Sequence, residues 1–144
     1  MPFIASWPEG GLSGGRRTDA LIGLIDLFAT VAGVLGVSLP EAALDSLDVM
    51  PSLREGSPVR SEIVVASGPG ARGLRSGDWI YLEPGGVRQE PIWYLEKFGI
   101  EPVDSPAMLF NLREDLGQKY NLALEYPERV DTLKQRLEAI FNRP

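Results

Sequence analysis

Residues 61–83 read SEIVVASGPGARGLRSGDWIYLE, and this stretch decides the architecture. Ile63-Val64-Val65 is a β-branched run, the kind that fits a half-buried pleated surface, so Ser61 to Ser67 reads as a strand. Gly68-Pro69-Gly70 breaks it. Arg72-Gly73-Leu74-Arg75 and Asp78 to Glu83 then flank Ser76-Gly77, the pattern of a tight hairpin. Three strand-like runs follow one another with no helical pattern between them. Such strands pair antiparallel more readily than parallel, because a parallel crossover needs a helix-length connection.

Downstream, Pro84 to Pro106 is a Pro/Gly-punctuated excursion with an aromatic island, Trp93-Tyr94 and Phe98. Ala107 to Leu112 reads as a further strand, followed by a turn ending at Gly117. The last element has the clearest pattern. Pro127 suits a first helical position, where a backbone N–H has no intrahelical partner. Val130, Leu133, Leu137, Ile140 and Phe141 then fall on one helical stripe, with Asp131, Lys134, Gln135 and Glu138 opposite.

Upstream, Pro2 to Trp7 reads as a short strand closed by Pro8, and Glu9 to Gly15 as a Gly-rich connector. No Lys-Ser/Thr follows those glycines, so a phosphate cradle is not indicated. Arg16 to Ile25 admits two readings. In one, a helix capped by Thr18 continues to Gly36; in the other, Leu21 to Ile25 is a short buried strand and Asp26 caps a helix over Leu27 to Leu35. Either way the segment is apolar nearly all round, which demands burial on several sides. Ser38 to Pro58 is loop-like, with turns at Pro40, Pro51 and Pro58.

Composition narrows the chemistry. The 144 residues suffice for one modest domain. Fourteen Lys/Arg against 20 Asp/Glu leave a net charge of −6, and Arg16-Arg17 is the only basic doublet, so nucleic acid is not an expected partner. With no Cys and no His, thiolate sites, Cys nucleophiles and imidazole bases are all excluded from this stretch. The Ala20–Val37 apolar run contains Asp26 and is at the short limit for a membrane span, so no membrane partner is expected. The N-terminus has no basic n-region or long apolar stretch, so no signal peptide is visible and localisation stays open.

Five strings, in order, resemble the C-terminal region of sulfatases of the arylsulfatase type, members of the alkaline-phosphatase-like superfamily. Pro2 to Pro8 (PFIASWP) is similar to the family's Val-Pro-Phe-Ile…Trp-Pro-Gly strand. Ile25 to Thr30 (IDLFAT) resembles its Asp-Leu-x-Pro-Thr helix start, with Ala29 where Pro is usual; this favours the reading in which Asp26 is a cap. Leu44 to Leu53 (LDSLDVMPSL) is similar to Leu-Asp-Gly-x-Asp followed by Pro and Leu. Leu74 to Trp79 (LRSGDW) resembles the Arg-x-Gly-x-Trp hairpin, with Ile80 where many relatives carry Lys. Leu109 to Leu122 (LFNLREDLGQKYNL) is similar to the Leu-Tyr-Asp-Leu…Asn-Leu signature.

The resemblance implies an α/β fold, α+β locally. Residues 1–58 would be a remnant of the large domain, contributing its last strand and helix. Residues 59–144 would be a small antiparallel sheet of about four strands packed by the closing helix. It also implies hydrolysis of sulfate esters by a formylglycine made from Cys in Cys-x-Pro-x-Arg, with calcium held by Asp/Asn and with Lys and His around the sulfate. None of those motifs occurs here, so the family's catalytic residues map onto no position, and no cofactor or metal is expected in this chain. The expected role is a C-terminal sulfatase fragment inactive alone. The alternatives are a subunit completing a separate catalytic chain, or a non-catalytic glycan-binding module. In the first two cases the Leu21–Leu35 apolar segment would meet the missing N-terminal domain or a partner chain.

Other candidates are weighed against plainer roles. Asp45 and Asp48, with Glu41 near, hint at calcium, but the spacing does not fit an EF-hand and a structural role is favoured. Arg72 and Arg75 flank a Gly-rich loop and would approach a sulfated substrate in a complete enzyme; solvation is the plainer reading. Trp93, with Tyr94 and Phe98, would border a sugar rim or simply pack its loop. Asn111 and Asn121 read as turn-bonding groups.

Overall fold

The computed structural model describes residues 3–66, 72–84, 92–99 and 107–142. The chain divides into two compact units, Met1–Ser61 and Glu62–Pro144.

The second unit contains a four-stranded antiparallel meander in the order β1-β2-β3-β4, with β1 Glu62–Ala66, β2 Arg72–Ser76, β3 Trp79–Leu82 and β4 Met108–Asn111. The expected hairpin is present, one residue later than read. Ser76 pairs with Trp79, so the two-residue loop is Gly77-Asp78, and Gly77 takes the positive φ (56°) that such turns require. Gly73 has a different reason to be glycine: a Cβ there would lie 2.5 Å from the Tyr81 carbonyl oxygen.

Strand alternation separates two faces. Leu74, Tyr81 and Leu109 face helix α4 (Pro127–Phe141) and form a core with its Leu133 and Leu137 and with Ala123. Ile80, Met108 and Phe110 cluster on the opposite face. The stripe on α4 follows the sequence reading as far as Ile140, but Phe141 remains exposed. A helix expected from no pattern, α3 (Ile92–Phe98), carries the aromatic island. Residues 85–91 and 100–106 of the excursion lie outside the described residues, as does the Gly68-Pro69-Gly70 break.

Asn121 ties the segment after β4 to the sheet. Its Oδ1 accepts from the Leu109 and Ala123 amides, and its Nδ2 donates to the Ala107 carbonyl. Asp115, in the turn after β4, accepts from the Lys119 and Tyr120 amides at 2.6 and 2.8 Å. The Asn and Asp side chains here supply hydrogen bonds that the irregular backbone cannot make for itself.

The first unit departs further from expectation. Its main helix is α1, Asp26–Leu35, stopped by Gly36 in the left-handed region. Leu21–Ile25 is not a strand, and Asp26 is the first helical residue rather than the cap. Residues 3–6 are not a strand either; a single bridge joins Trp7 to Leu12 around a 3₁₀ turn at Pro8–Gly10. A strand persists only as part of a ladder, and no described segment of this unit pairs with residues 3–6. Conversely, the loop-like 38–58 region contains a helix, α2, over Met50–Glu55, with Pro51 in its first turn and Gly56 closing it.

Candidate functional site

The first unit is organised around a buried carboxylate. Asp26 is fully buried. Its Oδ2 accepts from the Gly23 amide at 2.8 Å and from Arg60 Nε at 3.0 Å, and its Oδ1 from the Leu47 amide and Arg60 Nη2. Arg60 Nη2 also donates to the Asp45 carbonyl. Ser46 Oγ donates to the Ile25 carbonyl and accepts from the Ala29 amide; Thr30 Oγ1 donates to the Asp26 carbonyl and accepts from Val49. Burial pushes the Asp26 pKa up, but the Arg60, Gly23 and Leu47 hydrogen bonds and the Arg60 charge outweigh it and hold the carboxyl below its ordinary value. This carboxylate is neutralised and enclosed, so its work is structural.

The 44–49 segment reaches α1 because the helix carries Ala29, Ala32 and Gly33 on that side. A Cβ at Gly33 would sit 2.9 Å from Asp48 Oδ2. Asp48 itself accepts from the Met50 amide at the start of α2. Among the described residues no group of three or more His, Cys, Asp or Glu is arranged to hold a metal. The chain has no Cys that could become a formylglycine, and one Asp48 carboxylate oxygen is already taken by the Met50 amide.

The other side of α1 is bare. Phe28, Val31 and Leu35 on the helix, with Leu24 in the turn just before it, are 56%, 54%, 67% and 64% exposed. Val34, Val37 and Leu39 extend the apolar surface. A contiguous stripe of this kind on a helix marks a face built to be covered.

In the second unit the sequence candidates do not converge. Arg72 is held in a two-point ion pair with Glu83 at 2.7 and 2.6 Å, and its guanidinium carbon lies 4.4 Å above the Phe141 ring. The Arg72 hydrogen bond holds Glu83 below its ordinary pKa. Arg75, three residues on, points to the opposite sheet face and donates to the Gly77 carbonyl at 3.2 Å. Trp93 is exposed on α3, edge-to-face with Tyr94, which in turn packs on Phe98.

A group not singled out in the sequence lies at the start of α4. A groove of about 660 Å³ is lined by Ser76, Glu125, Tyr126, Pro127, Glu128, Arg129, Thr132 and Leu133. The Arg129 guanidinium carbon is 4.4 Å over the Trp79 indole, and Trp79 meets Tyr126 with ring centroids 5.4 Å apart. Only the aromatic residues themselves hint at this in the sequence; the folding of β3 against α4 creates it.

No protein-family model matches the sequence. The chain is nonetheless a relative of sulfatases with the alkaline-phosphatase-like fold, similar over nearly its whole length to their C-terminal portion. It is 30% identical over 99% of its length to the N-acetylgalactosamine-6-O-sulfatase of Bacteroides thetaiotaomicron, covering 27% of that protein. It is 28% identical over 96% of its length to arylsulfatase A of Bos taurus, covering 31%. A solved structure from work on glycosaminoglycan metabolism by Bacteroides thetaiotaomicron superposes with a TM-score of 0.70 at 30% identity, over 88% of this chain and 26% of that one. The chain thus spans between a quarter and a third of the length of the relatives it matches. No helix among the described residues is long and apolar enough to cross a membrane.

Proposed function

We propose that this chain serves as the C-terminal portion of a sulfatase and has no sulfuric ester hydrolase activity by itself. The observation that carries the reading is the bare Phe28-Val31-Leu35 stripe on α1, continued by Leu24 in the turn before it, in a chain that aligns with only the C-terminal portion of its relatives. In this reading the stripe packs against the N-terminal sulfatase domain, which supplies formylglycine, calcium and the cationic groups around the sulfate. The Asp26–Arg60 network shapes α1 for that contact. Arg75 and Trp93 remain the residues offered to the substrate rim; Arg72, paired with Glu83, contributes less.

The N-terminal domain belongs either to the same polypeptide or to a separate chain, and one experiment distinguishes these. The DNA upstream of residue 1 is read for an in-frame Cys-x-Pro-x-Arg. An uninterrupted frame containing it makes the protein a single-chain sulfatase. A stop codon in that frame, followed by restored sulfatase activity on co-expression with a separately encoded catalytic chain, makes it a split enzyme. A stop codon without restoration by any matched chain removes the proposal.

A further inference from the structure

We propose that the groove at the start of α4 is a carbohydrate-binding site for a neutral or N-acetylated sugar chain. The inference does not rest on the sulfatase reading: it stands on side chains that the first proposal leaves unused. Arg129 is held over the Trp79 indole, yet its guanidinium makes no hydrogen bond or ion pair with a described residue. A guanidinium stacked on a ring is pre-oriented, so little freedom is lost when its free donors meet a ligand. By contrast Arg60, Arg72 and Arg136 are all committed to carboxylates.

Around Arg129 the groove presents what a pyranose requires. Tyr126, 44% exposed, and the Pro127 ring provide an apolar floor for the C–H face of a sugar. Glu125 and Glu128 accept from hydroxyls, and Ser76 donates or accepts at the hairpin end. A floor of aromatic and ring carbons bordered by a few convergent polar groups is the general form of a small-ligand site. The charges set the class. Two carboxylates beside one guanidinium leave the lining net negative, which repels sulfate and uronate groups while leaving hydroxyl and acetamido recognition intact.

The test is calorimetric titration of the full 144-residue chain with N-acetylchitohexaose, and separately with a heparin hexasaccharide. The neutral sugar should bind with a Kd on the order of 0.1–1 mM. Tyr126→Ala should weaken it about tenfold, by loss of the ring contact. Glu128→Gln, which leaves the aromatic packing untouched, should weaken it about threefold while moving heparin binding toward tighter values. Tyr120→Ala, another exposed tyrosine outside the groove, should change nothing. No heat from the neutral sugar with a chain shown folded by circular dichroism overturns the site. Equal binding by the Tyr126 and Glu128 variants moves it elsewhere and also overturns it. Preference for heparin in the unaltered chain overturns the assigned ligand class.

Discussion

Arg60 grips Asp26 across thirty-four residues of chain, guanidinium fork to carboxylate, in the interior of the first unit. The same arginine donates to the Asp45 carbonyl, and the same aspartate accepts from Gly23 and Leu47. One ion pair thereby joins the approach to α1, the 44–49 segment and the end of the unit. A buried pair is a weak source of net stability, because desolvating both ions offsets their attraction. Removing one partner is another matter.

Arg60→Ala should therefore destabilise the first unit by about 3–5 kcal/mol, since it strands a buried charge. Arg60→Ala combined with Asp26→Asn should recover part of that loss. Amide hydrogen exchange at Gly23 and Leu47, whose N–H groups donate to Asp26, reads the effect locally. Unchanged protection at both amides in Arg60→Ala would show that the pair does not organise the unit.

Acid should loosen both units. Asp26 and Glu83 are each held below their ordinary values in the folded chain. A depressed carboxyl adds stability that is present above its unfolded pKa and is lost as pH falls through the folded one. The loss should begin below about pH 4, where unfolded carboxylates start to protonate, and continue toward the lower folded values. Tyr81 behaves in the opposite sense: burial first, and then the Glu83 charge, raise its pKa. The stability tied to its neutral form is present below its unfolded value, about 10, and is lost as pH rises through the higher folded one. Urea midpoints measured from pH 3 to 11 should fall at both ends, and Asp26→Asn should flatten the acid limb for the first unit.

How much of this was legible depended on the range of the interaction involved. The β-branched run at Ile63–Val65, the hairpin glycine and the α4 stripe are local patterns, and each yielded an element close to where the pattern lies. Asp26 preceding an apolar helix reads as a cap, because local sequence cannot reveal that Arg60 captures its carboxylate. Pro51 reads as a turn, yet it sits in the first turn of α2, where its missing N–H costs nothing. The reading of Pro2 to Trp7 as a strand presumed a pairing partner that the described part of its unit does not supply. Arg72 and Arg75 look like a pair in the sequence and diverge because a strand alternates its faces. Of the groove the sequence offers only its aromatic residues, since Trp79 and Arg129 belong to different elements and meet only after folding.

The α1 stripe offers a test of its purpose. Phe28→Ser with Val31→Ser removes two exposed apolar side chains without touching the Asp26 network. The isolated chain should become more soluble, with its melting midpoint within a few degrees of the original, because surface substitutions change stability by about 0.5 kcal/mol or less. Complementation of a catalytic chain should fall steeply, since burial of two such side chains contributes about 1.5–3 kcal/mol each. Full complementation by the double variant would place the covering surface elsewhere.

Asn121 supports the second unit in a way that a volume argument alone would miss. Its amide acts as a short extension of the sheet, accepting from Leu109 on β4 and from Ala123 while donating to Ala107. Asn121→Ala removes the acceptor of the Leu109 and Ala123 amides, and each buried amide left unpaired costs about 1–3 kcal/mol when water cannot reach it. Partial access of water at this position puts the expected total near the lower end, about 2–4 kcal/mol. Asn121→Asp keeps the acceptor and loses the donor, so it should cost less than Asn121→Ala at neutral pH. Chemical denaturation followed by the near-ultraviolet signal of Trp79 orders the two variants. If Asn121→Asp proves the more damaging, the bond donated to the Ala107 carbonyl outweighs the two accepted bonds, and it is the β4 entry rather than its exit that the residue secures.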